Sequence, residues 1–462
     1  MTKPIVMKFG GSILANGHGY VKAAEKVIEG VKKAPVIVVV SAMKGVTDTL
    51  LQIVSEHGIS LEETIGELHL KHMRALEEAV KNKTIFEETF REISLLFNEL
   101  AKILWAIRFT GTLTLKLKDY VLSFGERLSA KIMEAVLKDR GIRAMMLTGG
   151  EAGIITNSRF GEASPIMEIT EKLVKERIGR LIENGVTPVV TGFIGETLQG
   201  ETTTLGRGGS DYTASLLASI LNASELRFYT DVPGIMTGDP RLVPRAKTVP
   251  NICFVEALEL ARAGGKKFHP RTFEPLINSN VKTIITDLEE RACTVVGRKC
   301  VEGPKTVSLV RVLTLVDVEG GYMAGRIGTL ALVANAAREA GVNIISIFQP
   351  ATETRISLLV SRDEAVRFRE KLEEIFLREN LPLRITTTSD VVALVVVGYN
   401  IANYVEQVLS VVRKEGCSIF GVAVGLQGSS LTIVVDGNCM SRAVRAVHDR
   451  LVLPFVLSGL GG

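Results

Sequence analysis

Residues 205–212 read LGRGGSDY, and the residues that follow, TASLLASILNA, return to helical apolar spacing. Three glycines, an arginine, a serine and an aspartate therefore stand where a loop becomes a helix. Glycines let a ligand approach the backbone closely, and a helix N-terminus favours an anion. The guanidinium of Arg207 fits a carboxylate or phosphate in two-point fashion. Ser210 and Asp211 admit a second reading, because both residue types cap the free N–H groups of a following helix. Capping explains the serine and the aspartate; it explains Arg207 and the paired glycines poorly. The stretch suits an α/β fold, in which ligands gather in loops beyond the C-terminal ends of parallel strands.

The flanking pattern agrees. PIVMKF (4–9), VIVVVSA (36–42) and TPVVTGFIG (187–195) are short apolar runs, the mark of strands buried on both faces. Between them lie segments with helical spacing, such as YVKAAEKVIEGVKK (20–33) and ITEKLVKERIGRLIENG (169–185), and a largely helical excursion over 49–105 interrupted at Gly58 and Gly66. Strands alternating with helices predict a mostly parallel sheet sandwiched by helices. The last third instead repeats itself. VRVLTLVDVEGG, RIGTLALVANAAREAGVNIISIF, RISLLVS and DEAVRFREKLEEIF are followed in the same order by VVALVVVGYN, IANYVEQVLSVVRKEGCSIFGVAV, SSLTIVVD and SRAVRAVHDRLV. Two copies of an α+β unit are expected, with a boundary near 300–308.

Bulk properties narrow the class. The 462 residues are 46% apolar and 23% charged, with a net charge of +4 and no basic stripe, which argues against a nucleic-acid or membrane-surface protein. The longest apolar runs are too short to span a bilayer, and the N-terminus lacks the apolar core of a signal peptide. Five cysteines, an odd count without a CxxC pair, argue against a disulfide framework and for a reduced, cytoplasmic setting.

Several other motifs carry chemistry. KFGGS (8–12) ends a strand with two glycines, where backbone N–H groups and Lys8 could meet a phosphate; taken alone it is equally a tight strand-to-helix turn with a surface lysine. YTDVPGIMTGDPRLVPRAK (229–247) is an irregular loop after a strand, offering Thr230 and Asp231 to a base or ribose and Arg241 to a phosphate, or simply solvated charges. SAMKGVTD (41–48) offers the Thr47 hydroxyl. SFGERLSA (123–130) reads as the start of a helix, where Glu126 either stabilises the helix or binds an amine. GGKKFHPRT (264–272) brings glycines and lysines before a helix. An arginine for a carboxylate and a glutamate for an ammonium together suit an amino acid. No metal-ligand spacing appears, and the six histidines are scattered.

Taken in order, KFGGS, SAMKGVTD, SFGERLSA, TLGRGGSDYTA, TDVPGIMTGDPR and GGKKFHPRT resemble the aspartate kinases, and the repeated C-terminal units resemble that family's paired ACT domains. The resemblance spans essentially the whole chain. It implies an amino-acid kinase domain over 1–302, then two ACT-like βαββαβ units over 309–386 and 387–462. It implies transfer of the γ-phosphoryl group of ATP, with Mg²⁺ held mainly by the phosphates, to the side-chain carboxylate of L-aspartate. By carry-over, Lys8 contacts the transferring phosphate, and Asp211 organises that lysine and the phosphates. Ser41, Thr47, Glu126 and Arg207 bind aspartate, with Gly208, Gly209 and Ser210 lining the same loop. Gly10, Gly11, Ser12, Thr230, Asp231, Met236, Arg241, Lys266 and Lys267 map to the nucleotide site. The family pattern DGVYTADPR has a tyrosine where this chain has Met236, which puts the adenine contact in doubt, and GGSI replaces the more usual GGTSV. The competing readings are another amino-acid kinase with a different acid substrate, and a non-catalytic amino-acid sensor. A homodimer joined through the repeats, and an amino-acid effector bound there, are further expectations.

Overall fold

The computed structural model describes residues 2–56, 58–263 and 268–458. The chain divides into two units, one made of 1–235, 250–257 and 266–298, the other of 236–249, 258–265 and 299–462. The division therefore does not fall at a single point near 302, because two segments ahead of that point fold with the second unit.

The strands of the first unit, in chain order, are β1 (Ile5–Phe9), β2 (Val36–Val40), β3 (Ala144–Leu147), β4 (Ile155–Thr156), β5 (Thr187–Thr191), β6 (Ile194–Thr197), β7 (Thr202–Thr204), β8 (Glu225–Tyr229), β9 (Asn251–Cys253), β10 (Lys282–Thr286) and β11 (Cys293–Gly297). Eight of them form one sheet in the order β3-β5-β2-β1-β8-β10-β11-β9. Every pairing in it is parallel except β10 with β11. β1 and β2 are buried at every residue, as their unbroken apolar runs demand. The helix Gly17–Val31 shows how a flank is covered: Tyr20, Ala23, Ala24 and Val27 recur at helical spacing and are buried, while the Asn16 side chain caps the N-terminus by accepting from Gly19 N. Gly66 does not interrupt the helical excursion. The helix Leu61–Ala79 runs through it, because its buried stripe of Leu68, His72, Ala75 and Leu76 outweighs one exposed glycine's unfavourable propensity.

The second unit holds β12 (Gly303–Glu319), β13 (Ser346–Phe348), β14 (Arg355–Ser361), β15 (Arg384–Tyr399), β16 (Ile419–Val424) and β17 (Ser430–Asp436) in one antiparallel sheet of order β13-β14-β12-β15-β17-β16. The repeat is present, but its copies are not successive in the way the sequence suggests. β12 and β15 are long partners with a register shift between Val310 and Leu313, where Val312 takes a left-handed φ of 63°. The half of β12 after the bulge, with β13, β14 and the start of β15, covers a core of Val316, Phe368, Leu372 and Ile375. The half before it, Gly303–Val310, pairs with the end of β15, and its Val307 joins the second copy's core of Leu394, Val412, Ile433 and Val447. The second copy thus borrows its fourth strand from ahead of the first.

The cysteine reading is corrected here. Cys417 and Cys439 are 22 positions apart, yet their Cα atoms lie 5.6 Å apart and they form a buried disulfide. Motif spacing cannot see a pair that only the second copy's fold brings together, and the bridge runs against the reduced setting expected. Cys293 is a free, exposed thiol. Among the described residues, no helix is long and apolar enough to cross a membrane.

Candidate active site

The site starts at the centre of the large sheet. β1 lies between β2 and β8, with Lys8 opposite Val39 on one side and Phe228 on the other. The next strand after β1 is β2 and the next after β8 is β9, and these lie on opposite sides of the β1–β8 pair, so the loops beyond the adjacent ends of β1 and β8 diverge and leave a crevice. Phe9 and Tyr229 close those ends with stacked rings 4.9 Å apart. Beyond them sit Gly10–Ser12 on one side and Thr230–Asp231 on the other. Gly10 N donates to Tyr229 O at 3.3 Å, and the Thr230 hydroxyl donates to Val232 O at 2.8 Å.

Lys8 is 8% exposed and Asp211 9%, and the two form an ion pair. Asp211 lies in the first turn of the helix Gly209–Ile220, which has Gly208 as N-cap and no side-chain cap. Asp211 is spent on Lys8 instead of capping, which decides between the two readings of GGSDY. Ser210 likewise turns its hydroxyl to Glu126. Arg207 is exposed and flanked by Gly206 at φ 76° and Gly208 at φ 71°, a conformation costly for any residue with a Cβ. It has no ion pair among the described residues.

Glu126 does not start a helix. It stands in the middle of the helix Leu115–Asp139, 4% exposed, so stabilisation of a helix N-terminus is no explanation for it. Gly125 beside it permits the close approach: a Cβ there would lie 2.8 Å from the Cβ of Ala42. Burial pushes the Glu126 carboxyl from 4.5 to about 8; hydrogen bonds from the Ala42 backbone and Ser210, and the charge of Lys8, offset this only in part. One of its oxygens, Oε2, has no hydrogen-bond partner among the described residues. An acid buried with an open lone pair is ready for a cationic donor.

These groups meet in one cavity of ≈ 440 Å³. Its lining brings together Lys8, Ser41, Thr47, Glu126, Arg207, Gly208, Gly209, Ser210 and Asp211. Ser41 follows β2 directly and its N–H donates to Phe9 O, while Thr47 opens the helix Val46–Ser55. Met236 and Arg241 belong to the second unit, where Arg241 is held in two-point fashion by Asp239 at 2.7 and 3.0 Å. Lys266 and Lys267 lie outside the described residues.

The cavity also has walls that sequence reading missed. Asp119 is 1% exposed and accepts from Gly161 N at 2.8 Å, Thr204 N at 2.9 Å and the Thr204 hydroxyl at 2.8 Å. It ties β7 and the 161 loop to the Glu126 helix. The signal was present: Asp119 precedes Glu126 by seven residues, two helical turns, so both carboxylates share a face. Phe193 lines the cavity at a left-handed φ of 68°, an outlier for a bulky residue, and its ring lies where a Cβ on Gly209 would be 2.7 Å away. No local pattern announces that.

The cavity thus joins a lysine–aspartate pair, a buried acid and an arginine that has no ion pair among the described residues. The chain belongs to the amino acid kinase family, whose model matches residues 3–287. It is similar to chloroplastic aspartokinase 2 of Arabidopsis thaliana, 28% identical over 96% of this chain and 83% of that protein. It is also similar to lysine-sensitive aspartokinase 3 of Escherichia coli K12, 27% identical over 98% of this chain and all of that one. Among solved structures, E. coli aspartokinase III in complex with aspartate and ADP superposes with a TM-score of 0.79, at 26% identity, covering 97% of this chain and 99% of that one.

Proposed function

We propose that this chain is an aspartate kinase, moving the γ-phosphoryl group of ATP to the side-chain carboxylate of L-aspartate to give 4-phospho-L-aspartate, the entry to lysine, threonine and methionine synthesis. The observation that carries the reading is the meeting of the Lys8–Asp211 pair, the open oxygen of Glu126 and Arg207, which has no ion pair among the described residues, in one cavity. Aspartate presents an ammonium to Glu126 and its α-carboxylate to Arg207. The remaining carboxylate then faces Lys8.

That carboxylate is already ionised near neutrality, so no general base is needed. A carboxylate oxygen bonds to the γ-phosphorus as the bond to the β–γ bridging oxygen breaks, and ADP leaves. Lys8 neutralises charge growing on the transferring group, and its ion pair with Asp211 holds it in place. Gly10, Gly11 and Ser12 offer backbone donors to phosphates, and Thr230 and Asp231 face the nucleoside. Mg²⁺ bound with the nucleotide would supply further neutralisation of the phosphates. Most of its ligands are expected to come from the phosphates.

Glu126 makes the pH dependence specific. Its raised pKa means that the folded protein holds a proton here which the unfolded chain has released by about pH 5. The stability this contributes is fully present below 4.5 and is lost as pH rises through about 8. Binding of the ammonium works in the opposite sense, because it needs the ionised form. The kcat/KM for aspartate should therefore rise with pH through about 8, and Glu126→Gln should flatten that rise; a pH profile of both proteins measures it.

The paired repeats are read as the effector and assembly module. The edge strands β13 and β16 carry exposed Ile347, Val422 and Val424, suited to a homodimer of this chain and to an amino-acid effector held there. The decisive assay is ADP release with aspartate, glutamate, N-acetylglutamate or UMP as acceptor. Release dependent on aspartate supports the reading; release on another acceptor alone, or ATP binding without turnover, rejects it.

A further inference from the structure

GGKKFHPRT leaves one motif without a role once the site is assembled: its last residues, HPRT. His269 caps a short 3₁₀ turn, Pro270–Thr272, accepting at Nδ1 from Arg271 N. Arg271 then reaches the opening stretch at two places. Its Nη1 donates to Leu205 O at 2.9 Å, and its guanidinium lies over the Tyr212 ring, 4.7 Å from the centroid. Leu205 and Tyr212 are the first and last residues of LGRGGSDY, and both are buried. Between them run Gly206 and Gly208, the two left-handed glycines that flank Arg207. His269 closes the middle, because a methyl on Gly208 would overlap its Cβ.

We infer that Arg271 is a positioning residue for Arg207, bracing both ends of the glycine-rich loop so that the free guanidinium meets a substrate carboxylate in a fixed pose. The inference rests on the aspartate-kinase reading for its kinetic consequence. Arg271 is itself committed to the loop and is not among the residues lining the cavity, so it acts through Arg207. A loop with two glycines at positive φ has more conformations to lose than most. One carbonyl anchor and one cation–π contact restrict it without filling the cavity. Lysine in place of arginine would keep a single donor for Leu205 O but lose the planar stack on Tyr212.

The test uses Arg271→Met and Arg271→Lys in the full chain. A misplaced binding group can cost up to about a hundredfold, so Arg271→Met should raise KM for aspartate about tenfold while kcat and KM for ATP stay within about twofold. Arg271→Lys should fall between it and the wild type. Hydrogen exchange gives a readout independent of turnover: the amides of Gly206–Ser210 should exchange faster in Arg271→Met, with the β1 and β2 amides unchanged. Unchanged exchange in that loop overturns the inference, as does faster exchange with an unaltered aspartate KM. Equal losses in kcat and in both KM values, with no recovery in Arg271→Lys, would mark a merely structural role and overturn it too. A wild type that releases no ADP with aspartate would instead sink the aspartate-kinase reading, while the exchange data still judge the brace.

Discussion

Lys8→Ala should lower kcat by at least about a hundredfold, the scale of losing one preorganised donor at a developing charge. The side chain is buried, so water cannot take its place at low cost. Its removal also leaves Asp211, 9% exposed, as an unpaired carboxylate facing the phosphates. Repulsion therefore adds to the lost attraction, and KM for ATP should rise as well. The pairing makes a second, sharper expectation. Asp211→Ala alone misplaces Lys8 and should cost kcat heavily, but in a chain already carrying Lys8→Ala it should cost little or partly restore nucleotide affinity. Residues that act as a unit are non-additive in this way. Steady-state kinetics on the four proteins of that cycle measures it, and additive losses would mean that the ion pair is not a catalytic unit.

Arg207→Ala should raise KM for aspartate about a hundredfold, the loss expected when one member of a charge-assisted pair is truncated. Its effect on kcat should be much smaller, because Arg207 holds a carboxylate that does not react. The contrast with Lys8 is the point. Lys8 acts on charge that grows during transfer, whereas Arg207 acts on charge present throughout, which is uniform binding. A kcat collapse in Arg207→Ala, with KM unchanged, would reverse the two roles. Arg207→Lys should recover only part of the affinity, since an ammonium lacks the two-point fork.

How far the site could be read from the chain depends on what each residue leaves in its neighbourhood. Arg207 was legible because glycines flank it, whereas Lys8 stood out only through the resemblance, since KFGGS alone also suits a plain strand-to-helix turn. Glu126 was legible as a carboxylate of interest but misplaced at a helix start, since SFGERLSA shows no cap and its helix begins earlier, at Leu115. Its burial and raised pKa come from packing against the loop of Ala42, which no local pattern encodes. Asp119 was legible in principle by its helical spacing from Glu126. Phe193 was not, because only the fold brings it against Gly209, and no local pattern marks its left-handed backbone. For the fold, the parallel sheet followed from the alternation of buried runs. The loan of Gly303–Val310 to the second copy did not, because a repeat read along the sequence assumes that neighbours in order are neighbours in space. The Cys417–Cys439 bridge was hidden for the same reason.

The central claim is that Lys8, Glu126, Arg207 and Asp211 surround a single aspartate. A crystal structure of the protein with aspartate and ADP tests it most directly. The account predicts the aspartate ammonium on Glu126 Oε2, one carboxylate on the Arg207 guanidinium and the other turned towards Lys8 Nζ. Aspartate seated in this cavity with its ammonium away from Glu126, or bound only at the repeats of the second unit, would contradict it.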